Sequence, residues 1–254
     1  MEIISKFKFI LILTFCSQPI FGFQQNSFSL EGIQDNIYQA FVEAIVTDDP
    51  GTLLTIGENL KILEQERDLD IIKYWRTYHA YYAAIYYVGI DDSDKAEDLV
   101  DDHIDLMESI KNPSADDIAM MSMIRSFSIQ FKAMFRAPFI SGKVGRDLEK
   151  ALKIEPDNPR VLYVKASSDF YTPEQYGGGK QVEELLTKVL ESNEPDFINP
   201  VMPSWGKREA YELLLQWYIR KEEKEKAEAL VEAAIADFPN NYRIIEMGEY
   251  IAGM

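Results

Sequence analysis

Apolar positions recur at three- and four-residue spacings from residue 30 to residue 252, and short polar breaks divide them. The spacing predicts amphipathic helices near 30–48, 51–66, 69–89, 93–111, 115–136, 142–154, 159–171, 178–192, 205–221, 224–237 and 241–252. Asp48-Asp49-Pro50-Gly51 and Asn112-Pro113-Ser114 read as turns. Ser114 with Asp117 three residues later is a capping-box variant. Asn158 before Pro159 sets a cap and then a proline at the first helical position. No segment alternates with period two for long enough to demand a strand. Within 71–88, Ile71, Trp75, Tyr78, Tyr82 and Ile85 form one stripe, with Tyr81, Ala84 and Val88 on adjacent faces. That helix is apolar nearly all round, so a central place is predicted. Met120, Met121, Met123, Ile124, Phe127, Phe131 and Met134 read as core filling.

One junction occurs twice. Residues 151–162 and 234–245 both read as a helix end, a proline stop, an asparagine cap and a new helix. A repeated junction predicts a stack of helical hairpins. The stretch Arg208–Asn241 places Tyr211, Leu214, Tyr218, Ala227, Val231, Ala234 and Pro239 at spacings that resemble the tetratricopeptide repeat, with Leu215 where that pattern has a small residue. A second copy fits Arg125–Asn158 through Phe131, Phe135, Val144, Leu148, Ala151 and Pro156, with Ser128 in place of the first aromatic. Between them lies a distorted unit, 159–204, with extra residues at Tyr171–Gly179 and a long connection at Ser192–Ser204. The helix pairs at 30–66 and 69–111 match the pattern only loosely. The resemblance implies an all-α chain, a right-handed superhelix of about five tetratricopeptide-like hairpins in one domain, 23–254.

A narrower likeness rests on Asn158-Pro159-Arg160, Tyr171-Thr172-Pro173, Tyr176-Gly177-Gly178-Gly179-Lys180 and Pro203-Ser204-Trp205-Gly206. These runs resemble a poorly characterised group of exported bacterial tetratricopeptide-like proteins, which implies a location and a fold but no reaction. A more remote similarity is to the helical periplasmic partner of tripartite transporters, which also has a paired-glycine turn.

Hydrophobic residues make up 46% of the 254, which excludes disorder by composition. The 26 Lys+Arg against 43 Asp+Glu give a net charge of −17. That balance argues against nucleic-acid binding, which needs phosphate neutralisation, and against an anionic lipid surface unless a local basic patch exists. Residues 1–22 read as an export signal: Lys6 and Lys8, then the apolar run Phe9–Phe15, then a more polar exit to Gly22. The run is too short to span a bilayer. The only cysteine, Cys16, lies inside it, so the mature chain has no disulfide and no thiol chemistry. A periplasmic or outer-envelope location follows as the expectation.

Candidate chemistry is sparse. Gly177–Lys180 lacks the spacing and the Ser or Thr of a phosphate loop, and reads as a turn needing positive φ and close packing. His79 and His103 are the only histidines. His79 reads as packed in the core, and His103, beside Asp101, Asp102 and Asp105, as part of a solvated acidic face. No metal site, no catalytic residues and no cofactor are expected.

The leading expectation is a non-enzymatic exported adaptor that holds a peptide or partner protein on the inner face of the superhelix. The tetratricopeptide likeness puts that face on Glu209, Glu212, Gln216 and Ile219, and in the second copy on Ser126, Ile129, Ala133 and Arg136. Tyr171, Tyr176 and Trp205 flank the irregular turn and would line its edge. The alternative is a periplasmic small-molecule or lipid carrier serving a transporter, with Trp75, Tyr78 and Tyr82 lining an apolar tunnel. A third reading, a carboxylate-dependent hydrolase, has no positive motif.

Overall fold

A computed structural model describes residues 28–192 and 199–254. The segment read as an export signal, with Cys16, lies outside these. Among the described residues there are eleven α-helices and no strand: α1 Ile33–Thr47, α2 Gly51–Glu66, α3 Asp70–Gly89, α4 Ser93–Glu108, α5 Ala115–Phe127, α6 Ala137–Ile154, α7 Pro159–Tyr171, α8 Val182–Glu191, α9 Lys207–Arg220, α10 Lys224–Asp237 and α11 Tyr242–Ala252. Five antiparallel hairpins, α1/α2 through α9/α10, stack in order. The first helix of each packs on the first helix of the next, and α11 continues this inner layer against α9.

The caps predicted from sequence start the helices. The Ser114 hydroxyl accepts from Asp117 N while the Asp117 carboxylate accepts from Ser114 N. Asn158 accepts from the backbone N–H of Arg160 and Val161, and Asn241 from that of Ile244, so the two repeated junctions share one mechanism. Ala227 and Ala234 are fully buried in α10, at the positions where small residues let helices approach.

The α3–α4 hairpin, matched only loosely by the sequence pattern, turns in the same way as α9–α10. Asp91 and Glu222 both have positive φ (62° and 58°), and the next residue in each case donates to a tyrosine carbonyl, Tyr87 or Tyr218. In this register Ala96 and Val100 correspond to Ala227 and Val231, and His103 to the small Ala234.

The helix predicted over 115–136 ends instead at Phe127. The Ser128 hydroxyl donates to the Arg125 carbonyl, and two 3₁₀ turns follow, Ser128–Phe131 and Met134–Arg136, separated by extended backbone at Lys132 and Ala133. Met134, expected to fill the core, and Phe135, placed at a position of the repeat pattern, are exposed. The glycine turn behaves as expected. Gly177 and Gly179 have φ of 94° and 76°, and a Cβ on Gly178 would lie 1.9 Å from the Thr172 carbonyl oxygen.

Two apolar cores result. One joins α1 through α7, with Trp205; the other joins α7 through α11. Leu152 and Tyr163 touch both.

Candidate functional site

The inner layer does not leave an open groove. Pro200–Gly206, the end of the long connection before α9, lies across it. The Pro200 carbonyl accepts from Gly32 N, and the Val201 carbonyl accepts from Trp75 Nε1 at 2.9 Å. The Gln34 amide pairs twice with Ser204, accepting from its backbone N (2.9 Å) and donating to its Oγ (3.2 Å). Trp205, expected at an edge, is buried: its Nε1 donates to Tyr74 Oη at 2.6 Å, and its ring packs against Tyr78 and Tyr163.

What remains is a cavity of about 70 Å³ that brings together Tyr78, Tyr82, Trp205, Glu209 and Glu212 from the sequence candidates. Trp75 sits behind it, edge-on to Tyr74 and Tyr78. The charges lining it are matched. Arg208 lies 3.4 Å over the Tyr38 ring and pairs with Glu209, which also accepts from Gly206 N at the start of α9. Glu212 accepts from Asn241 Nδ2 at 3.1 Å and meets Arg243 at 3.5 Å. Burial raises the Glu212 carboxyl above its ordinary range, with Glu209 adding to the shift and Arg243 opposing it.

The other candidates lie elsewhere. Ser126 is in the last turn of α5, Ile129 in the first 3₁₀ turn and Arg136 in the second. The helix break takes these three off the single helical face that the repeat spacing implied. Tyr171 and Tyr176 are exposed. Gln216 and Ile219 are half-buried on α9, Ile219 packing on the second core.

A larger groove opens on the opposite side of α3, between α2, α3 and α4. Its volume is about 610 Å³, and Leu54, Gly57, His79, Ala83, Leu99 and His103 line it. Sequence reasoning placed His103 on a solvated face; it is 6% exposed, and His79 is 7% exposed. The hairpin turn sets His79 and His103 at the same level, one on each helix. His79 Nε2 lies 2.8 Å from the Leu53 carbonyl and His103 Nδ1 lies 2.8 Å from the Leu99 carbonyl. Each ring must donate through that nitrogen, which assigns the tautomer and leaves a lone pair on His79 Nδ1 and on His103 Nε2. Burial lowers both imidazoles, His103 to about 4, so both are neutral at pH 7.

Two residues shape the groove. The imidazole of His103 stands where Ala234 closes the α9–α10 hairpin. Gly57 of α2 accommodates His79, since a Cβ there would lie 2.5 Å from His79 Cε1. Lys61, Arg76 and Lys95 line the groove with Glu58, Asp98 and Asp102. Arg76 is paired with Glu64, while Lys61 and Lys95 have no ion pair among the described residues. No group of three or more His, Cys, Asp or Glu among the described residues is placed to hold a metal ion by itself. A metal centre there would need ligands from its own molecule.

No protein-family model matches the chain, and no curated protein matches it. Among solved structures, the HusA haemophore from Porphyromonas gingivalis is similar at 20% identity and a TM-score of 0.53, over 77% of this chain and 96% of that one. A thermophilic TPR protein from Thermus thermophilus is similar at 11% identity and a TM-score of 0.55, over 87% of this chain and all of that one. At these identities the likeness establishes the fold, an all-helical tetratricopeptide-like array.

Proposed function

We propose that this protein is a non-enzymatic exported carrier, and that its cargo is a flat, metal-bearing ring of the haem class held in the α2–α4 groove. The observation that carries this reading is the pair of neutral imidazoles, each fixed by a backbone carbonyl and each with a lone pair free, in one groove of about 610 Å³. That volume falls in the range of about 300–1,000 Å³ typical of small-molecule sites, whereas the inner cavity of about 70 Å³ falls below it. A porphyrin supplies four in-plane nitrogens, so one or two imidazoles complete the iron's ligand set. Lys61 and Lys95 suit the carboxylates such a ring carries, and Leu54, Ala83 and Leu99 suit its apolar edge. The fold shared with a haemophore supports the ligand class, and residues 1–22 support export.

The partner-protein reading draws support from the tetratricopeptide-like fold. Pro200–Gly206 already occupies the inner face that reading needs, so it has less room.

The test is a titration with ferric haem and with metal-free protoporphyrin, followed by absorbance. The parent chain is expected to shift the haem Soret band, and His103→Ala to lose that shift and at least about tenfold in haem affinity. Tyr82→Phe, on the other side of α3, should behave as the parent. Haem binding with an unchanged spectrum in His103→Ala would remove the His103 assignment, and an unchanged spectrum in His79→Ala with His103→Ala would remove the imidazole assignment. No binding of either ring would remove the carrier reading.

A further inference from the structure

Where α5 ends, the chain projects an apolar knuckle. Met134, Phe135 and Phe139 are 91%, 73% and 77% exposed. The 3₁₀ turn Met134–Arg136 runs directly into α6, so Phe135 and Phe139, four residues apart, share a face. Neither the inner cavity nor the α2–α4 groove includes any of the three.

The charge around the knuckle is opposite to that of the protein. No Asp or Glu occurs between Asp117 and Asp147, while Arg125, Lys132, Arg136, Lys143 and Arg146 all fall in that interval. Two of these turn inward: Arg125 to Glu108 and Asp147, and Lys132 to Glu97 and Asp101. Lys143 reaches Glu108 at 2.7 Å. Arg136 and Arg146 are exposed and have no ion pair among the described residues.

We propose that this knuckle docks on an anionic phospholipid surface, with Met134, Phe135 and Phe139 entering the acyl-chain boundary and Arg136 and Arg146 meeting headgroup phosphates. Aromatic and Met side chains flanked by cations are the composition of an interfacial anchor. Met134, Phe135 and Phe139 are each more than 70% exposed, which suits a fluid interface that can close around them. The net charge of −17 repels the acidic faces from an anionic surface, whereas here Glu97, Asp101 and Glu108 are neutralised by Lys132, Arg125 and Lys143 and the two arginines are left over, so this face is the one that can approach. The proposal is independent of what the α2–α4 groove holds.

The test is co-sedimentation with vesicles of phosphatidylglycerol and phosphatidylcholine, and with phosphatidylcholine alone. The chain is prepared with and without residues 1–22, so that binding by the apolar leader is separated from binding by the knuckle. Without those residues the protein is expected to partition onto the anionic vesicles only, and raised salt should release it. Phe135→Ser with Phe139→Ser should lower the partition at least about tenfold, and Arg136→Glu severalfold. These positions are exposed, and an unchanged far-ultraviolet circular dichroism spectrum verifies that the variants fold. No partition without the leader, or equal partition of the double variant, overturns the proposal. Self-association of the parent that the double variant abolishes also overturns it, and assigns the knuckle to a second copy of the chain.

Discussion

Tyr78 and His79 are neighbours in α3, yet they open on opposite sides of it. Tyr78 lines a cavity that the chain has nearly filled with its own Trp205, whereas His79 lines a groove left open. On the inner side, Trp75 packs edge to face on Tyr78, Trp205 lies tilted against Tyr78, and each charge has a partner of opposite sign. On the outer side, Gly57 of α2 lets the His79 ring pack closely, His103 of α4 stands at an alanine position of the regular hairpin, and a groove of about 610 Å³ stays open beside them. Aromatic richness therefore marks the side of α3 that the chain fills itself, and a glycine with two imidazoles marks the side that stays open.

Four measurements break or sharpen this contrast. Trp205→Ala removes the largest side chain of the inner plug and should cost about 3–5 kcal/mol in urea unfolding. A loss below about 1 kcal/mol would mean that the inner side is not sealed. Gly57→Ala puts a methyl group against the His79 ring and should cost about 1–3 kcal/mol, with a weaker haem titration, because the ring must leave its place.

The third measurement is the pH dependence of stability. His103 in the folded chain titrates near 4, against about 6.5 when unfolded. The unfolded state thus takes up the proton first as pH falls. Stability from this burial is complete above pH 6.5 and is lost as pH drops toward 4, by about 2 kcal/mol between pH 7 and pH 5. His103→Gln should flatten that slope in urea unfolding at the two pH values, and a slope unchanged in the variant would place its cause elsewhere. The smallest effect belongs to Lys224→Ala, which removes an i,i+4 contact with Glu228 on the regular hairpin, remote from both sides of α3. It should cost a few tenths of a kcal/mol and leave ligand titrations unchanged.

Most helices were legible in the sequence because their signals are local. Asn158, Asn241 and Ser114 cap the helices they were expected to cap, and the glycine turn at 177–179 has the predicted backbone. The break after Phe127 was not legible. Helical spacing continues through Phe131 and Phe135, and only the hydroxyl of Ser128, turned onto the Arg125 carbonyl, shows where the helix stops. Glu209, Glu212 and Trp205 converge with Tyr78 and Tyr82, but the covering of that face by residues 200–206 depends on contacts between segments far apart in sequence. The histidine pair did have a signal. Setting the turn at Asp91–Asp92 over that at Glu222–Glu223 puts His103 on Ala234, a large ring in a small-residue position.

The segment Pro200–Gly206 also changes how the molecule should fold. In an open array of repeats, stability is a sum of neighbouring contacts and the ends can fray independently. Here Gly32 meets Pro200, Gln34 meets Ser204, Trp75 meets Val201, and Asn241 Nδ2 lies 3.5 Å from Tyr38 Oη. These contacts tie the first hairpins to the connection before α9 and to the start of α11. They raise the contact order, which slows folding. Deleting α10 and α11 would then remove the Asn241–Tyr38 contact and reach α1, more than two hundred residues away in sequence.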